Sequence, residues 1–226
     1  SKLYVGGDFT KANGFDAFHI VRFDLASGSI DFSWRPTLGG TPLTIVPTAS
    51  TVYVGGGFTS AGFITGGSSP RTNTAAFTTA GSLLPWAPPA NGVVRTMLLT
   101  PDGSKVVIGG SFTTLNGAAV YGLAAVDPTS GANVAWAATG QIKVNSAEAG
   151  IVSLTTDGTL IYGGEFVWVS AAQGNLEGRF ALNPSDGSIV WANDCHGDTY
   201  TTLPINGALY STGHSHDCSW IGSYPD

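Results

Sequence analysis

An all-β chain of radially stacked four-stranded modules, a β-propeller or a segment of a larger one, is predicted by three features of the sequence. A glycine-pair motif and a tryptophan both recur about every 50 residues, short apolar runs alternate with turn residues, and no stretch shows the three-and-four spacing of a helix. The glycine motif reads LYVGGDF at 3–9, VYVGGGF at 52–58, VVIGGSF at 106–112, LIYGGEF at 160–166 and, degraded, LYSTGHS at 209–215. Its second glycine falls at Gly7, Gly56, Gly110, Gly164 and Gly213, giving spacings of 49, 54, 54 and 49. Trp34, Trp86, Trp136 and Trp191 follow at 52, 50 and 55. Two independent markers thus share one period, in the range of a propeller blade.

The third repeat shows the strands in order. Residues 93–100 (VVRTMLLT) form the first, and Pro101-Asp102-Gly103 turns the chain. Residues 105–110 form the second, ending on the glycine pair, and the loop 111–117 leads to the third at 121–126 (YGLAAV). Asp127-Pro128-Thr129-Ser130-Gly131 is the next turn, and 133–137 with Trp136 closes the module. Such a sheet cannot bury both faces alone, so modules pack against one another. The glycine pair is expected where backbones crowd toward the axis, and the tryptophan between adjacent modules. The units run over roughly 1–36, 37–88, 89–138 and 139–193, with an incomplete 194–226. The chain therefore opens on a second strand and ends after the first two strands of a fifth unit. This predicts a segment of a propeller of six to eight blades; a self-closing four-blade ring is the alternative.

Composition narrows the function. The 226 residues are 11% charged, with nine Lys and Arg and a net charge of −6, which excludes a grip on nucleic acid by phosphate neutralisation. No apolar run reaches the roughly 18 residues that span a bilayer, so no membrane insertion is expected. A signal peptide is absent and the first residue is not Met, which implies a processed terminus or part of a longer chain or assembly. A surface rich in Thr, Ser, Gly and Asn, with four Lys and one Met, points to a secreted or cell-surface protein. Phosphate-loop, nucleophile-elbow and zinc-protease motifs are missing, and the glycine pairs precede loops instead of helices.

The succession of Gly6-Gly7-Asp8-Phe9, Asn13-Gly14, Asp24, Gly28 and Trp34, repeated as Gly109-Gly110-Ser111-Phe112, Asn116-Gly117, Asp127, Gly131 and Trp136, resembles secreted actinobacterial β-propeller repeats of uncharacterised function. Related repeats occur in tail and surface proteins of actinobacterial phages. The segments 194–199 (DCHGDT) and 214–218 (HSHDC) are similar to that family's closing segments. The resemblance spans nearly the whole chain and implies a propeller attached to adhesion-like or glycan-binding modules. Separately, Ala181-Leu182-Asn183, Gly187 and Trp191 resemble the docking pattern of quinoprotein dehydrogenases, but the other repeats depart from it and the adjacent cysteine pair of those enzymes is absent.

The repeat breaks in one place. Earlier tryptophans are followed by linkers such as Arg35-Pro36-Thr37, whereas Trp191 is followed by Asp194, Cys195, His196 and Asp198. At the fifth glycine-pair position stand Gly213, His214, Ser215, His216, Asp217 and Cys218. Because strands alternate in direction, the linker into the fifth unit and the loop after its second strand emerge on one rim. Three readings of the cluster follow. The first is a Cys195–Cys218 disulfide with polar rim residues, worth about 3 kcal/mol in the chain-entropy picture. The second is a ligand site of His196, Asp198, His214, His216, Asp217 and Trp220, with His196, His214 and His216 as ligands to a divalent metal, calcium or zinc. The third is a reduced zinc site, or Cys195 as a nucleophile beside His196. Asp8, Gly57, Ser111, Glu165 and His214 share one repeat position and are expected on one face, while His19 reads as a packed or rim residue and Trp168 as filler or a sugar platform.

The function expected is non-catalytic: extracellular binding or adhesion through rim loops that recognise a glycan or a protein partner. The alternatives are a metal-dependent hydrolase or lyase at the His/Asp cluster, or a purely structural part of a surface or phage-tail assembly.

Overall fold

A computed structural model describes residues 1–167 and 174–218. The protein is an all-β propeller assembly of successive antiparallel sheets, and its one helix among the described residues is the single turn Ala138–Gln141. In the third unit the strands Val93–Leu99, Val106–Ser111, Leu123–Val126 and Asn133–Val134 pair in sequence order. The fourth unit repeats this with Ala149–Thr156, Ile161–Val167, Gly178–Leu182 and Ile189–Asp194. The second unit has Pro36–Pro47, Thr51–Phe63 and Thr74–Thr78, its fourth strand reduced to the Phe77–Leu83 bridge. At the ends the sheets thin out. Unit one pairs Lys2–Gly6 with Ile20–Asp24, and unit five pairs Thr199–Ile205 with Ala208–Gly213.

The repeat motif follows from packing. Val106–Ser111 is buried along its whole length because neighbours cover both faces of its sheet. Val107 joins the apolar cluster shared with unit four, while Val106 and Ile108 join the one shared with unit two, the two-residue alternation of a strand. That double burial is why the motif reads as an unbroken apolar run. The first glycine of the first three pairs faces the next unit, a methyl at Gly6 sitting 2.8 Å from Pro42 and one at Gly109 2.8 Å from Ile151, whereas Gly163 meets the Phe180 ring of its own unit. The second glycine meets first-strand backbone, so a methyl at Gly56 would lie 2.6 Å from the Pro42 Cα and one at Gly213 3.0 Å from the Thr199 Cα.

Three apolar clusters seal three joints between units. Trp34, Val52, Phe58 and Phe77 hold units one and two; Tyr53, Trp86, Val94 and Ile108 hold two and three; Trp136, Ile151, Ile161 and Phe180 hold three and four. Trp34, Trp86 and Trp136 each reach the turn between the third and fourth strands of the next unit, the Trp136 indole N–H alone of the three finding no hydrogen-bond partner among the described residues. The Trp34 indole N–H donates to the Thr78 carbonyl at 3.0 Å, and that of Trp86 to the Asp127 carbonyl at 3.1 Å. The joint between units four and five is built differently. There Ser153 and Thr155 hydroxyls meet the buried Thr202 hydroxyl at 2.9 and 2.8 Å.

Candidate functional site

The rim between units four and five is assembled by short polar contacts. Strand Ile189–Asp194 carries the chain to Asp194, and Gly197 lets the linker lie against the loop after Ala208–Gly213, since a methyl there would come within 2.6 Å of the Ser215 Cα. The His214 N–H donates to the Asp198 carbonyl at 3.0 Å, and the His216 and Asp217 N–H groups donate to the Cys195 carbonyl at 3.1 and 2.9 Å. Cys195 and Cys218, both buried, form a disulfide with their Cα atoms 4.6 Å apart. The two terminal segments therefore share one rim, as their strand directions require. With both sulfurs in the bond, the readings of Cys195 as a nucleophile or of a reduced zinc site are overturned.

The side chains divide into an exposed tier and a buried one. On the surface, the rings of His214 and His216 meet edge to face at 4.8 Å, and His196 Nδ1 lies 3.7 Å from the Asp194 carboxylate. His214 Nδ1 lies 3.9 Å from Asp198 Oδ2, which also accepts the Tyr200 hydroxyl at 2.8 Å. The side chains of His196 and His214 are 65% and 50% exposed and open to solvent. The hydrogen bond to Asp198 raises the Tyr200 hydroxyl above the ordinary tyrosine range.

Beneath this tier are two carboxyl groups. Glu165 is fully buried and Asp198 nearly so, and both Glu165 oxygens and Asp198 Oδ1 lack a hydrogen-bond partner among the described residues. Burial pushes the Glu165 carboxyl well above the usual range, with Asp194 and Glu177 adding repulsion. Glu177 is raised too, by burial first and then by Asp198. The sequences 168–173 and 219–226 contain no Lys, Arg or His that could neutralise the group.

Of the residues expected at the site, Cys195, His196, Asp198, His214, His216, Asp217 and Cys218 come together on the rim, while Trp220, like Trp168, lies outside the described residues. No group of three or more His, Cys, Asp or Glu among the described residues is arranged to hold a metal ion. His196 lies beside the Asp194 carboxylate and His214 beside that of Asp198. The residues sharing the position after the glycine pair diverge: Asp8 is exposed beside His19, Ser111 accepts the Arg95 Nε–H at 2.8 Å, and Glu165 is buried. Sequence reasoning missed Tyr200 and Glu177, which carry no repeat signal. It also missed that Trp191, unlike the other three tryptophans of the repeat, is 36% exposed.

Residues 1–33 match a family model described as a β-propeller domain of unknown function, DUF5122. Among solved structures, the chain is similar to the computationally designed Ika4 protein, at 10% identity and a TM-score of 0.50, over 78% of this chain and 89% of that one. The designed Ika8 protein also gives 10% identity and 0.50, over 86% of this chain and 49% of that one. BamB from Moraxella catarrhalis shares 19% identity with a TM-score of 0.45, over 86% of this chain and 48% of BamB. The chain thus spans about half the length of Ika8 and of BamB. At these identities the designed proteins speak for the fold alone. No curated protein matches the chain.

Proposed function

We propose that this chain is a non-catalytic recognition module of the extracellular or cell-surface milieu, and that it binds a glycan or a protein partner through the rim around Cys195–Cys218. The observation that carries this reading is the exposed imidazole and phenol set of His196, His214, His216 and Tyr200, held on loops locked by a disulfide and by backbone hydrogen bonds. A rigid platform keeps the ordering cost of binding low. Its rings offer faces for stacking and its nitrogens and hydroxyl offer hydrogen bonds, the combination that suits sugar rings and polar peptide surfaces. The disulfide fits an oxidising compartment.

The test is a glycan array and a pull-down from the cell surface, each run with the oxidised chain and with a His214→Ala/His216→Ala double variant. Binding that falls at least tenfold in the variant, at unchanged melting temperature, supports the rim. Equal binding by both proteins, or none by either, overturns it.

A further inference from the structure

Asparagine is followed by glycine at Asn13, Asn91, Asn116 and Asn206. By sequence these pairs are alike, because glycine has no side chain to shield its backbone nitrogen from the preceding carboxamide. All of these asparagines are exposed, so burial does not separate them. Hydrogen bonding does. Asn91 Oδ1 accepts the Thr113 and Thr114 N–H groups at 2.8 and 2.9 Å, and its Nδ2 donates to the Thr113 hydroxyl at 2.9 Å. Asn116 Nδ2 donates to the Gly131 carbonyl and to Asn133 Oδ1, both at 2.8 Å. The side chains of Asn13 and Asn206 make no hydrogen bond among the described residues.

Asn13 and Asn116 form a matched pair. Each begins a two-residue turn on a short hairpin, Lys11–Ala12 with Phe15–Asp16 in one and Thr114–Leu115 with Ala118–Ala119 in the other. Both turns have positive φ at both residues, 46° and 82° at Asn13-Gly14 and 53° and 76° at Asn116-Gly117. What differs is the partner. In unit three the turn Asp127–Gly131 is followed two residues on by Asn133, which holds the carboxamide and also donates to the Leu115 carbonyl at 3.0 Å. In unit one the corresponding turn is Asp24–Gly28, and two residues beyond it stands Ile30, whose side chain has no acceptor to offer. The freedom of Asn13 is therefore set by unit one's own residues. Asn206 begins the turn between Thr199–Ile205 and Ala208–Gly213, with φ of 52° and 75°, and the space around Gly207 is open as it is around Gly14.

We propose that Asn13 and Asn206 are sites of spontaneous deamidation in the folded protein, and that Asn91 and Asn116 are protected. The glycine nitrogen attacks the asparagine Cγ, and the new N–C bond closes a succinimide ring. The Cγ–Nδ2 bond breaks, and the proton shed by the glycine amide leaves with Nδ2 as ammonia. Water from solvent then opens the ring at either carbonyl, giving aspartate or, with the backbone rerouted through Cβ, isoaspartate. A carboxamide held by hydrogen bonds must surrender them before it swings onto the glycine nitrogen, whereas a free one need only rotate. Each conversion adds a negative charge to a chain already at −6. Isoaspartate also lengthens the backbone of a turn whose length sets the hairpin register. The proposal does not rest on the reading of the histidine rim.

The experiment is incubation of the intact, oxidised chain at mildly alkaline pH, folded and in urea, followed by tryptic peptide mapping. Cleavage after Lys and Arg puts the Asn-Gly pairs on separate peptides, 12–22, 72–95, 106–143 and 180–226. Conversion is read by mass spectrometry as the exchange of NH for O, fragment spectra locate it, and a zero-time sample subtracts what occurs during digestion. In the folded chain Asn13 and Asn206 should convert at least tenfold faster than Asn91 and Asn116, while in urea all should convert at similar rates. Asn133→Ala, which removes one acceptor, should speed Asn116 at least threefold and leave Asn91 unchanged, the sign of an intact fold. The wild-type comparison stands without this variant. Asn91 or Asn116 keeping pace with Asn13 in the folded chain would overturn the proposal. So would a folded chain in which Asn13 and Asn206 stay intact while all of the pairs convert in urea.

Discussion

The joint between units two and three and the joint between units four and five use the same strands of the same repeat, yet one is dry and the other is polar. The first buries Trp86, Met97, Val94 and Ile108 in one cluster, with a tyrosine hydroxyl from Tyr53 capping the Pro128 carbonyl at 2.8 Å. The second sets Ser153, Thr155 and Thr202 hydroxyls against each other, and the same two units bury the Glu165 and Asp198 carboxyls. The lesson is that the backbone repeat is fixed by glycine clearances and strand pairing, while the side chains filling each joint are free to change. At the fourth joint they have changed toward hydrogen bonding, beside the rim that carries the histidines.

The contrast is most sharply broken at the tryptophans. Trp86→Ala removes a buried ring from a sealed joint and should cost about 3–5 kcal/mol in urea unfolding. Trp191→Ala, at a half-open joint, should cost well under half as much; equal losses would erase the distinction between the joints. Next comes the disulfide. Its reduction should lower stability by about 3 kcal/mol and direct limited proteolysis to residues 195–218 before units two and three are cut. Early cleavage within 93–134 would contradict this.

Smaller effects sharpen the picture. Thr202→Val removes the hydroxyl that both Ser153 and Thr155 meet, leaving Ser153 Oγ only the Thr202 N–H, and should cost about 1–3 kcal/mol. Thr155→Val and Thr202→Val combined, which keep Ser153 Oγ as acceptor of the Thr202 N–H at 3.0 Å, should recover part of that loss; a further loss would show that the joint needs its polarity for packing. The smallest effect is in pH dependence. Glu165 has a folded pKa above its unfolded value of about 4.3, so the unfolded chain gives up its proton first as pH rises. Its contribution to stability is full below about pH 4.3 and is lost as pH climbs through the raised folded value. Glu165→Gln cannot titrate, so its melting temperature relative to wild type should rise between pH 4 and pH 8. A constant difference across that range would remove the case for a buried, unpaired carboxyl.

Much of the architecture was legible because it rests on steric rules that leave marks in sequence. Only glycine fits where Gly109 meets Ile151 or Gly56 meets Pro42, so the pair recurs and announces the period. The disulfide and its histidines were legible as departures from that period. What was hidden depends on neighbours that a single position does not encode. Asp8 and Glu165 occupy one place in the repeat, yet Asp8 reaches solvent beside His19 while Glu165 is enclosed near Asp194 and Glu177. Trp191 keeps the tryptophan spacing to within a few residues, and its exposure is not marked in its own surroundings along the chain. Tyr200 reads as an ordinary strand tyrosine until Asp198 is seen two residues away on the same rim.

The central claim is that dry, sealed packing ends at the fourth unit and gives way to an open, polar fifth. Native-state amide exchange on the intact chain measures this directly. The hydrogen-bonded amides of Val106–Ser111 and Ile161–Val167 should exchange roughly a hundredfold or more slowly than those of Ala208–Gly213. Exchange at one common rate through all three strands would mean that the fifth unit is closed like the others, and would contradict the account.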